Sequence, residues 1–370
     1  MHRKTKSIST IARRLLGVAS VALLPLSASA EVFDLPPPGS DLIGEVRYTK
    51  AQHEDTLIDI AREFSLGQDE IVMANPKVDR WLPGEGAKVV VPRRFVLPEA
   101  PRVGIVVNIP EMRLYYYPDA GPKTAATRVI TYPISIGRMD WRTPLGATKV
   151  ISKVKDPSWR PPESIKVEHA KDGDILPDVV PPGPNNPLGR FAMKLGVPGY
   201  LIHGTGIDKA YGIGMRVTHG CIRMYPEDIE KLFPLVNVGQ VVRLVNQPIK
   251  LGWIGDDLYI EVSQPLDEDR MSANQLLASA MSQIEKKIAK RPVTLDSEAL
   301  KAAVTEPSGI PVRISASGFP QPLQASQETY QPQAVTAPVD EAYQSPSAQE
   351  RPAEYRPRPE QAPPEDYQLF

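Results

Sequence analysis

Between residues 46 and 93 the apolar residues recur first at helical spacing and then at strand spacing. The stretch DTLIDIAREFSLG has one apolar helical face, formed by Leu57, Ile60, Ala61 and Phe64. Asp55 is the predicted N-cap of this helix and Gly67 its predicted end. DEIVMANPKV predicts a second short helix ended by Pro76, and AKVVVP predicts a strand. With a strand at its start, this segment is a predicted βααβ module.

Residues 101–246 have patterns typical of strands. RVGIVVNIPEMRLYYYP predicts a hairpin of alternating apolar and polar residues around a Pro-Glu turn, and TRVITYPISIG, ATKVISKV and QVVRLV are further β-branched runs. Gly137, Pro144 and Gly146 mark turns. Helical spacing returns only in PEDIEKLFPLV. The chain is therefore predicted to be α+β and mainly β, with a β-sandwich-like or open-barrel domain over 101–246.

A proline-rich stretch, residues 156–190, separates two of these predicted strands. It is longer than an ordinary connection, and loops of that length are usually functional or disordered. We expect a lid or substrate wall in preference to a solvated insertion. His169, which lies within it, is expected to be an exposed loop residue and not a ligand.

The other segments are a linker, an extension and a tail. Residues 31–45, which include DLPPPGSD, are an expected linker. Residues 247–303 predict a hairpin that turns at Gly255-Asp256 and then a helix. The apolar face of that helix is formed by Leu277, Ala280, Ile284 and Ile288. Residues 304–370 are rich in proline and glutamine, and such a segment buries too little apolar surface to offset its ordering entropy, so a disordered tail is expected.

The first thirty residues have the pattern of a secretory signal peptide. A basic stretch without acids, MHRKTKSISTIARR, precedes LLGVASVALLPL, which is too short to span a bilayer. Small residues then lead to a predicted cleavage after Ala30. No later stretch has transmembrane length, so the mature protein is expected outside the cytoplasm without a membrane span.

Charge argues against a nucleic-acid partner. Residues 1–30 hold five basic residues and no acidic ones, so without them the formal net charge falls from −1 to −6. No basic tract remains elsewhere, and phosphate backbones are bound mainly by clusters of lysine and arginine.

Cys221 is the only cysteine in 370 residues. It follows His219 by two positions and His203 by eighteen. A lone cysteine in an exported chain is either a buried bystander or a reactive group. A nearby imidazole can accept the thiol proton, and backbone amides beside the thiol can stabilise an oxyanion. Gly220 fits such a site, because glycine lets a substrate approach the backbone closely.

The two histidines would reach the thiol in different ways. If the chain is an extended strand here, His219 shares a face with Cys221 because the two are separated by two positions. His203 must reach the thiol from another strand.

The stretch YLIHGTGIDKAYGIGMRVTHGCIRM resembles the signature of the YkuD-type L,D-transpeptidases, in which a histidine is followed by an [S/T]HGC block. The spacing from HGT to THGCIRM is that of the family. NIPEMRLYYYP, TPLG, NNPLG and VNQPIKLGW also fit the family pattern. Residues 1 to about 265 are similar to the periplasmic ErfK-type branch of Gram-negative bacteria.

This resemblance implies a set of roles around the thiol. Cys221 is the expected nucleophile and His203 the expected general base and acid, oriented by the backbone carbonyl of Gly204. His219 is expected to support the thiol or the oxyanion pocket. The amides of Gly220 and Cys221 are the expected oxyanion donors.

Two further positions are implied to contact or shape the substrate site. Arg223 stands where other branches carry asparagine, and we expect it to bind a substrate carboxylate or to shape the pocket. Thr218 replaces the commoner serine and keeps the hydroxyl. No cofactor and no metal are implied.

The βααβ segment resembles the LysM domain, which binds the N-acetylglucosamine-containing glycan of cell walls. The matching stretches are DTL..IA..F, I...NP and LPGEGAKVVVP. Glu54 departs from the family, which usually has glycine before the Asp-Thr pair, so the first turn is expected to differ.

The resemblance implies a peptidoglycan L,D-transpeptidase. Cys221 would attack the diaminopimelate carbonyl of a tetrapeptide stem and release D-alanine, leaving a thioester. The acceptor amine would belong to diaminopimelate of another stem, giving a 3→3 cross-link, or to a lysine of an outer-membrane lipoprotein. The expected partners are therefore peptidoglycan and, for the second acceptor, that lipoprotein.

Three alternatives remain open at this point. His203, His219 and Cys221 would be ligands in a zinc site, although they lack the paired spacing of specific zinc motifs. A wall-binding module joined to an inert β domain would make a non-catalytic protein. With water as acceptor, the same chemistry would give an L,D-carboxypeptidase or hydrolase.

Overall fold

A computed structural model describes residues 31–121 and 123–316. The predicted signal peptide lies outside the described residues, and so does the tail from residue 317 onward.

Sixteen strands occur in the described residues. They are β1 (Glu31–Asp34), β2 (Leu42–Lys50), β3 (Lys88–Val96), β4 (Gly104–Asn108), β5 (Arg113–Tyr117), β6 (Arg128–Pro133), β7 (Ile136–Gly137), β8 (Gly146–Lys155), β9 (Phe191–Leu195), β10 (Leu201–His203), β11 (Arg216–Thr218), β12 (Ile222–Arg223), β13 (Val241–Val245), β14 (Ile249–Ile254), β15 (Asp257–Val262) and β16 (Val312–Arg313). The helices are α1 (Leu57–Glu63), α2 (Gln68–Ala74), α3 (Glu163–Lys171), α4 (Pro226–Leu235), α5 (Ala273–Ile288) and α6 (Ser297–Thr305). Short 3₁₀ turns cover Ile207–Gly212 and Asp267–Asp269.

One curled sheet of nine strands lies at the centre, in the order β1-β6-β5-β4-β13-β8-β9-β10-β12. Its neighbours are antiparallel except for the parallel pairs β4–β13 and β10–β12. A separate parallel pair joins β7 to β11. The predicted mainly β fold is confirmed. Its large layer is one curled sheet, which is closer to the open-barrel alternative than to two stacked sheets.

The centre of the sheet is buried on both faces. Ile105 and Val107 of β4 belong to a core shared with α4, whereas Val106 belongs to a second core shared with α1 and α2. Every residue of β4 and β5 is buried. A strand covered on both faces needs apolar residues at successive positions. The hairpin expected from RVGIVVNIPEMRLYYYP is present, but the alternation assumed for it was wrong for this reason.

The βααβ order expected for residues 46–93 is present, with β2 and β3 paired antiparallel and both helices between them. The helix ends differ from the prediction. Thr56, not Asp55, is the N-cap of α1, because its side chain accepts from the Asp59 amide in a capping box. Gly67 is the N-cap of α2 and does not end α1, which stops at Glu63.

This module is packed directly on the sheet. Arg113 of β5 is fully buried and donates to the Glu70 carboxylate of α2 at 2.6 Å and to the Ser65 carbonyl at 3.2 Å. Its guanidinium lies 4.2 Å from the ring centroid of Phe95 on β3. A buried cation is tolerated only when it is paired. The contact therefore ties the module to the sheet.

The segment expected as a linker, 31–45, contains structure. β1 pairs with β6 at the edge of the large sheet, and β2 begins at Leu42. The linker expectation was wrong for these residues, because the backbone groups of Glu31–Asp34 are satisfied by a neighbouring strand. Only the turn between β1 and β2 lacks regular structure.

The extension after residue 247 is longer than expected. The hairpin of β14 and β15 turns at Gly255-Asp256 as predicted. The helix α5 packs on this hairpin through Leu276, Ala280 and Ile284. Leu276 is buried there where the sequence pattern predicted Leu277, which is only partly buried. α6 and β16 continue the same unit, with β16 paired to β15. Residues 304–316 were therefore wrongly assigned to the tail, since Ile314 is buried in this core.

The stretch 156–190 also contains a helix, α3. The sequence pattern did not reveal it, because Ile165 is its one buried residue and no apolar stripe marks it. A backbone bridge between Trp159 and Val180 closes the base of the stretch. Among residues 31–121 and 123–316, the helices are all too short or too polar to cross a membrane.

Candidate active site

The parallel pair of β10 and β12 places the strand of the predicted base beside the segment that carries the predicted nucleophile. Ile202 lies opposite Ile222, and His203 lies opposite Arg223. Residues at the same register position of neighbouring strands share a sheet face, and so do residues two positions apart on one strand. His203 and Arg223 therefore share a face, and Cys221 lies in the bend directly before β12.

His203 is held in one orientation. Its side chain is 4% exposed, and its Nδ1 lies 2.6 Å from the carbonyl oxygen of Gly204. Because a carbonyl only accepts, Nδ1 carries the proton and a neutral ring keeps Nε2 as an acceptor. The Gly204 amide in turn donates to the Phe191 carbonyl on β9. The carbonyl of Gly204 thus orients His203 as expected from the sequence.

The pKa of His203 is lowered to about 3, mainly by burial and then by the charge of the nearby Arg223 guanidinium, while the bond to Gly204 opposes the shift. The imidazole is therefore neutral at neutral pH. A neutral imidazole can accept a proton, which is the requirement for a general base.

Cys221 is half-buried, and its Sγ lies 3.6 Å from the carbonyl oxygen of Gly199. Burial raises the pKa of the Cys221 thiol to about 11, whereas a backbone hydrogen bond from Leu201 and the charge of Arg223 lower it. The resting pair is thus a neutral thiol and a neutral imidazole. Proton transfer must accompany the attack of the sulfur and cannot precede it to a large extent.

A tight turn, not a continuous strand, joins His219 to Cys221. β11 ends at Thr218, whose Oγ1 donates to the Cys221 carbonyl at 2.6 Å. Thr143 Oγ1 donates to the Gly220 carbonyl at 2.8 Å, and Gly220 has φ +94°. The expected extended geometry at these positions was wrong, because the left-handed glycine reverses the chain there.

The His219 ring contacts the side chains of Glu168 and Trp141 at the edge of the candidate site. Its Nε2 lies 3.0 Å from Oε2 of Glu168 on α3, and its ring meets the Trp141 ring edge-on with centroids 5.0 Å apart. Burial lowers the pKa of His219, the charge of Arg138 adds to this, and Glu168 opposes it. The structure thus places His219 in the turn at 218–221 that carries the predicted nucleophile (the nucleophile turn), with partners that the sequence did not identify.

Arg223 lies opposite His203 and close enough to influence both His203 and Cys221 by its charge. Its Nε is buried without a hydrogen-bond partner in the described part of the chain, and its backbone bridges to Ser135. Burial lowers its pKa, while the Cys221 thiolate would raise it. The guanidinium therefore acts on both Cys221 and His203 through its charge.

The sequence comparisons agree with this geometry. A family model described as the YkuD L,D-transpeptidase catalytic domain matches residues 102–244. Probable L,D-transpeptidase YcfS of Escherichia coli strain K12 is 37% identical over 302 residues, which are 80% of this chain and 92% of that protein. The chain belongs to the YkuD family of L,D-transpeptidases. Probable L,D-transpeptidase YbiS of the same strain is 36% identical over 321 residues, 85% of this chain and 100% of its own.

Among solved structures, the NMR structure of the catalytic domain from an E. faecium L,D-transpeptidase covers 40% of this chain and 100% of that chain, at 21% identity and a TM-score of 0.29. The family membership rests on the two E. coli relatives. The protein is accordingly an L,D-transpeptidase, a class of acyltransferase.

In this L,D-transpeptidase three polar residues of the site had no sequence signal. Arg138, Trp141 and Glu168 contact His219 or its carboxylate partner, yet no motif marks them. His169, expected as an exposed loop residue, is half-buried on α3 and bonds to Asp174 at 2.7 Å. Within the described ranges, no three His, Cys, Asp or Glu side chains are grouped to hold a metal ion.

Proposed function

We propose that Cys221 is the nucleophile of this peptidoglycan L,D-transpeptidase and His203 its general base and acid. The Cys221 sulfur attacks the diaminopimelate carbonyl carbon of a tetrapeptide stem while its proton passes to His203. The peptide bond to the terminal D-alanine then breaks, and His203 returns the proton to the departing amine. A thioester between Cys221 and the stem remains.

The observation that carries this proposal is the register of β10 and β12 with the bond from His203 to Gly204. It gives β10 a neutral imidazole with Nδ1 occupied and Nε2 left as the acceptor, and the backbone of Leu201 on the same strand bonds to the Cys221 thiol. The third group that a base requires is here a backbone carbonyl, so no carboxylate is needed.

The turn that carries the thiol is suited to stabilise the oxyanion. We assign the amides of Gly220 and Cys221 as the donors to the tetrahedral intermediate. Two hydroxyl groups fix the neighbouring carbonyls, Thr143 at Gly220 and Thr218 at Cys221. Donors that are already positioned are the most effective, because they need no reorganisation in the transition state. Arg223 is assigned to a substrate carboxylate or to the shape of the pocket.

An amine completes the reaction by attacking the thioester and releasing Cys221 as a thiol. We propose diaminopimelate of a second stem, giving a 3→3 cross-link, or a lysine of an outer-membrane lipoprotein. Water as the acceptor would make the protein an L,D-carboxypeptidase or hydrolase instead. No co-reactant is required, since the bond energy is kept in the thioester.

We further propose that residues 46–93 are a LysM glycan-binding module, residues 1–30 a cleaved signal peptide and the periplasm the site of action. The βααβ order supports the first assignment. Because this module is packed on the sheet through Arg113, glycan bound to it would be held in a fixed position relative to the thiol. A fixed second site raises the local concentration of linked substrate.

The decisive experiment incubates the mature protein with a disaccharide-tetrapeptide, with and without a lysine-ended lipoprotein peptide, and determines the product masses. Dimers, peptide adducts or trimmed tripeptides identify the acceptor. Cys221→Ala must abolish all three while glycan binding persists. Turnover by Cys221→Ala equal to that of the parent protein would contradict the proposed nucleophile and favour a wall-binding protein.

A further inference from the structure

α3 is held against the active site by polar contacts and not by an apolar face. Ile165 is its one buried residue, and the helix lies inside the closed stretch 156–190. A short helix without an apolar stripe gains little from burial, so its position depends on specific side-chain partners. Glu168 supplies the partners on the side that faces the nucleophile turn.

Both oxygens of Glu168 are engaged by the catalytic domain. Oε1 accepts from Nη2 of Arg138 at 2.6 Å, and Oε2 lies 3.0 Å from Nε2 of His219. Burial would raise the pKa of Glu168, but its bonds to Arg138 and then His219 outweigh this and lower the pKa. The group is therefore a carboxylate at neutral pH. A carboxylate only accepts hydrogen bonds, so Nε2 of His219 carries a proton.

The ring of His219 is fixed by a second contact as well. Trp141 meets it edge-on, with the ring centroids 5.0 Å apart. Arg138, which holds the other oxygen of Glu168, is itself tied to the nucleophile segment because its amide donates to the Thr218 carbonyl. The arrangement joins α3, the loop at 138–141 and the turn at 218–221 through one carboxylate.

We propose that Glu168 is a positioning residue for the transpeptidase reaction, which fixes the orientation and the proton of His219 beside the nucleophile turn. This inference rests on the proposed role of His219 in the site. It also gives the stretch 156–190 a defined task, since α3 delivers Glu168 to the wall of the active site. Removal of the carboxylate frees the ring to rotate and removes the preference for a proton on Nε2.

The charges around His219 set the sign of the expected effect. Burial lowers the pKa of His219 most, the charges of Arg138 and His169 add to this, and Glu168 opposes it. His169 lies on the same helix as Glu168, with its ring centroid 6.4 Å from that of His219. Loss of the Glu168 charge therefore leaves only groups that disfavour protonation, and the pKa of His219 falls further.

The test compares Glu168→Gln with Glu163→Gln, which removes a carboxylate that is 81% exposed on the same helix. We expect kcat/KM for the disaccharide-tetrapeptide to fall about 10- to 100-fold in Glu168→Gln, the range seen when a partner that orients a histidine is removed. The NMR titration of His219 should move to lower pH. Glu163→Gln should match the parent in both measurements, and Glu168→Asp, which keeps the charge, should recover part of both.

A purely structural role gives a different outcome. If Glu168 only anchors α3, the variant loses thermal stability or activity while the His219 titration stays in place, and the inference is overturned. Unchanged kcat/KM in Glu168→Gln also overturns it. Cys221→Ala, measured in parallel, separates this failure from that of the proposed function, which fails only if Cys221→Ala remains active.

Discussion

His203 lies directly opposite Arg223 in the parallel register of β10 and β12. A half-buried cation is thus placed next to the proposed base, and Cys221 lies in the bend directly before the strand of that cation. The charge of Arg223 lowers the pKa of His203 and also lowers the pKa of Cys221, although burial is the larger influence on each. One guanidinium therefore adds to the effect of burial in keeping His203 unprotonated and partly offsets the effect of burial on the Cys221 thiol.

Replacement of Arg223 by glutamine should slow the alkylation of Cys221. Without the guanidinium the thiol pKa, already raised to about 11, rises further, so less thiolate is present at any lower pH. Each unit of increase lowers the thiolate fraction about tenfold below the pKa. The iodoacetamide reaction rate, measured from pH 7 to 11, should shift to higher pH.

Arg223→Lys provides the control for that experiment because it retains the positive charge. Its alkylation profile should lie close to that of the parent, with Cys221→Ala as the blank. Identical profiles for the glutamine and lysine variants would show that the charge of Arg223 does not act on the thiol.

Gly220→Ala should abolish most of the activity. Gly220 has φ +94°, and a Cβ there would lie 2.7 Å from Cε1 of Tyr200. Either the Tyr200 ring or the turn must then move, and alanine is strained at this φ, so the two amides assigned to the oxyanion are expected to shift. Loss of one oxyanion donor costs about 10²- to 10³-fold in kcat. Single-turnover rates of D-alanine release measure this effect.

Gly173→Ala is the control for Gly220→Ala, because it has the cost of a left-handed backbone without a steric clash. Gly173 has φ +81°, and a Cβ there meets nothing within 4 Å. Both variants should lose about 1 to 2 kcal/mol of stability from the left-handed backbone. Only Gly220→Ala should lose activity, and equal activity losses would contradict the assignment of the turn.

Local patterns allowed several elements to be predicted from sequence. The hairpin at Gly255-Asp256, α4 and α5 each have their signal within twenty residues of chain. The thiol and its two histidines were found because the motif around Cys221 is compact. These features depend on neighbouring residues, which a single sequence displays.

Contacts between residues far apart in the sequence could not be predicted from such local patterns. The bond between His219 and Glu168 spans 51 positions, and no pattern in α3 marks its carboxylate. The burial of β4 on both faces depends on the βααβ module, which covers one face of the sheet. Packing between distant elements decides both, and periodicity within one element does not report it.

Gly67→Ala should destabilise the protein and reduce its activity. A Cβ on Gly67 would lie 2.7 Å from the Cα of Gly214, a backbone atom that cannot move alone. The amides of Gln68 and Asp69 donate to the carbonyls of Ile213 and Gly214, just before β11 and the nucleophile turn. Separation of these segments costs about 1 to 3 kcal/mol, as overpacking usually does.

The matched control for this module contact is Gly121→Ala. A Cβ on Gly121 would have its nearest neighbour at 3.9 Å, an ordinary contact distance. Thermal unfolding and kcat/KM should be close to the parent for this variant and lowered for Gly67→Ala. If both variants behave alike, the module does not support the nucleophile segment through Gly67.

Asp228→Asn should stabilise the protein at alkaline pH. Asp228 is 2% exposed on α4, and its Oδ2 has no hydrogen-bond partner among the described residues. Burial, and after it the charge of Glu227, raises its pKa from 3.8 to about 7. The unfolded chain therefore releases this proton at lower pH than the folded protein. The free energy of unfolding contributed by the group falls as pH rises from about 4 to about 7.

Above pH 7 the folded protein carries the full cost of this buried carboxylate, which the amide of Asp228→Asn avoids. We expect a gain on the order of 2 kcal/mol at pH 8, since one pKa unit corresponds to about 1.4 kcal/mol and the buried environment partly relaxes. The gain should become small at pH 4, where the parent side chain is protonated in the folded protein and about half protonated in the unfolded chain. Urea unfolding at pH 4, 6 and 8 measures the trend, with Glu230→Gln on the exposed side of α4 as the control. A gain that does not depend on pH would show that packing, and not the carboxylate proton, causes the difference.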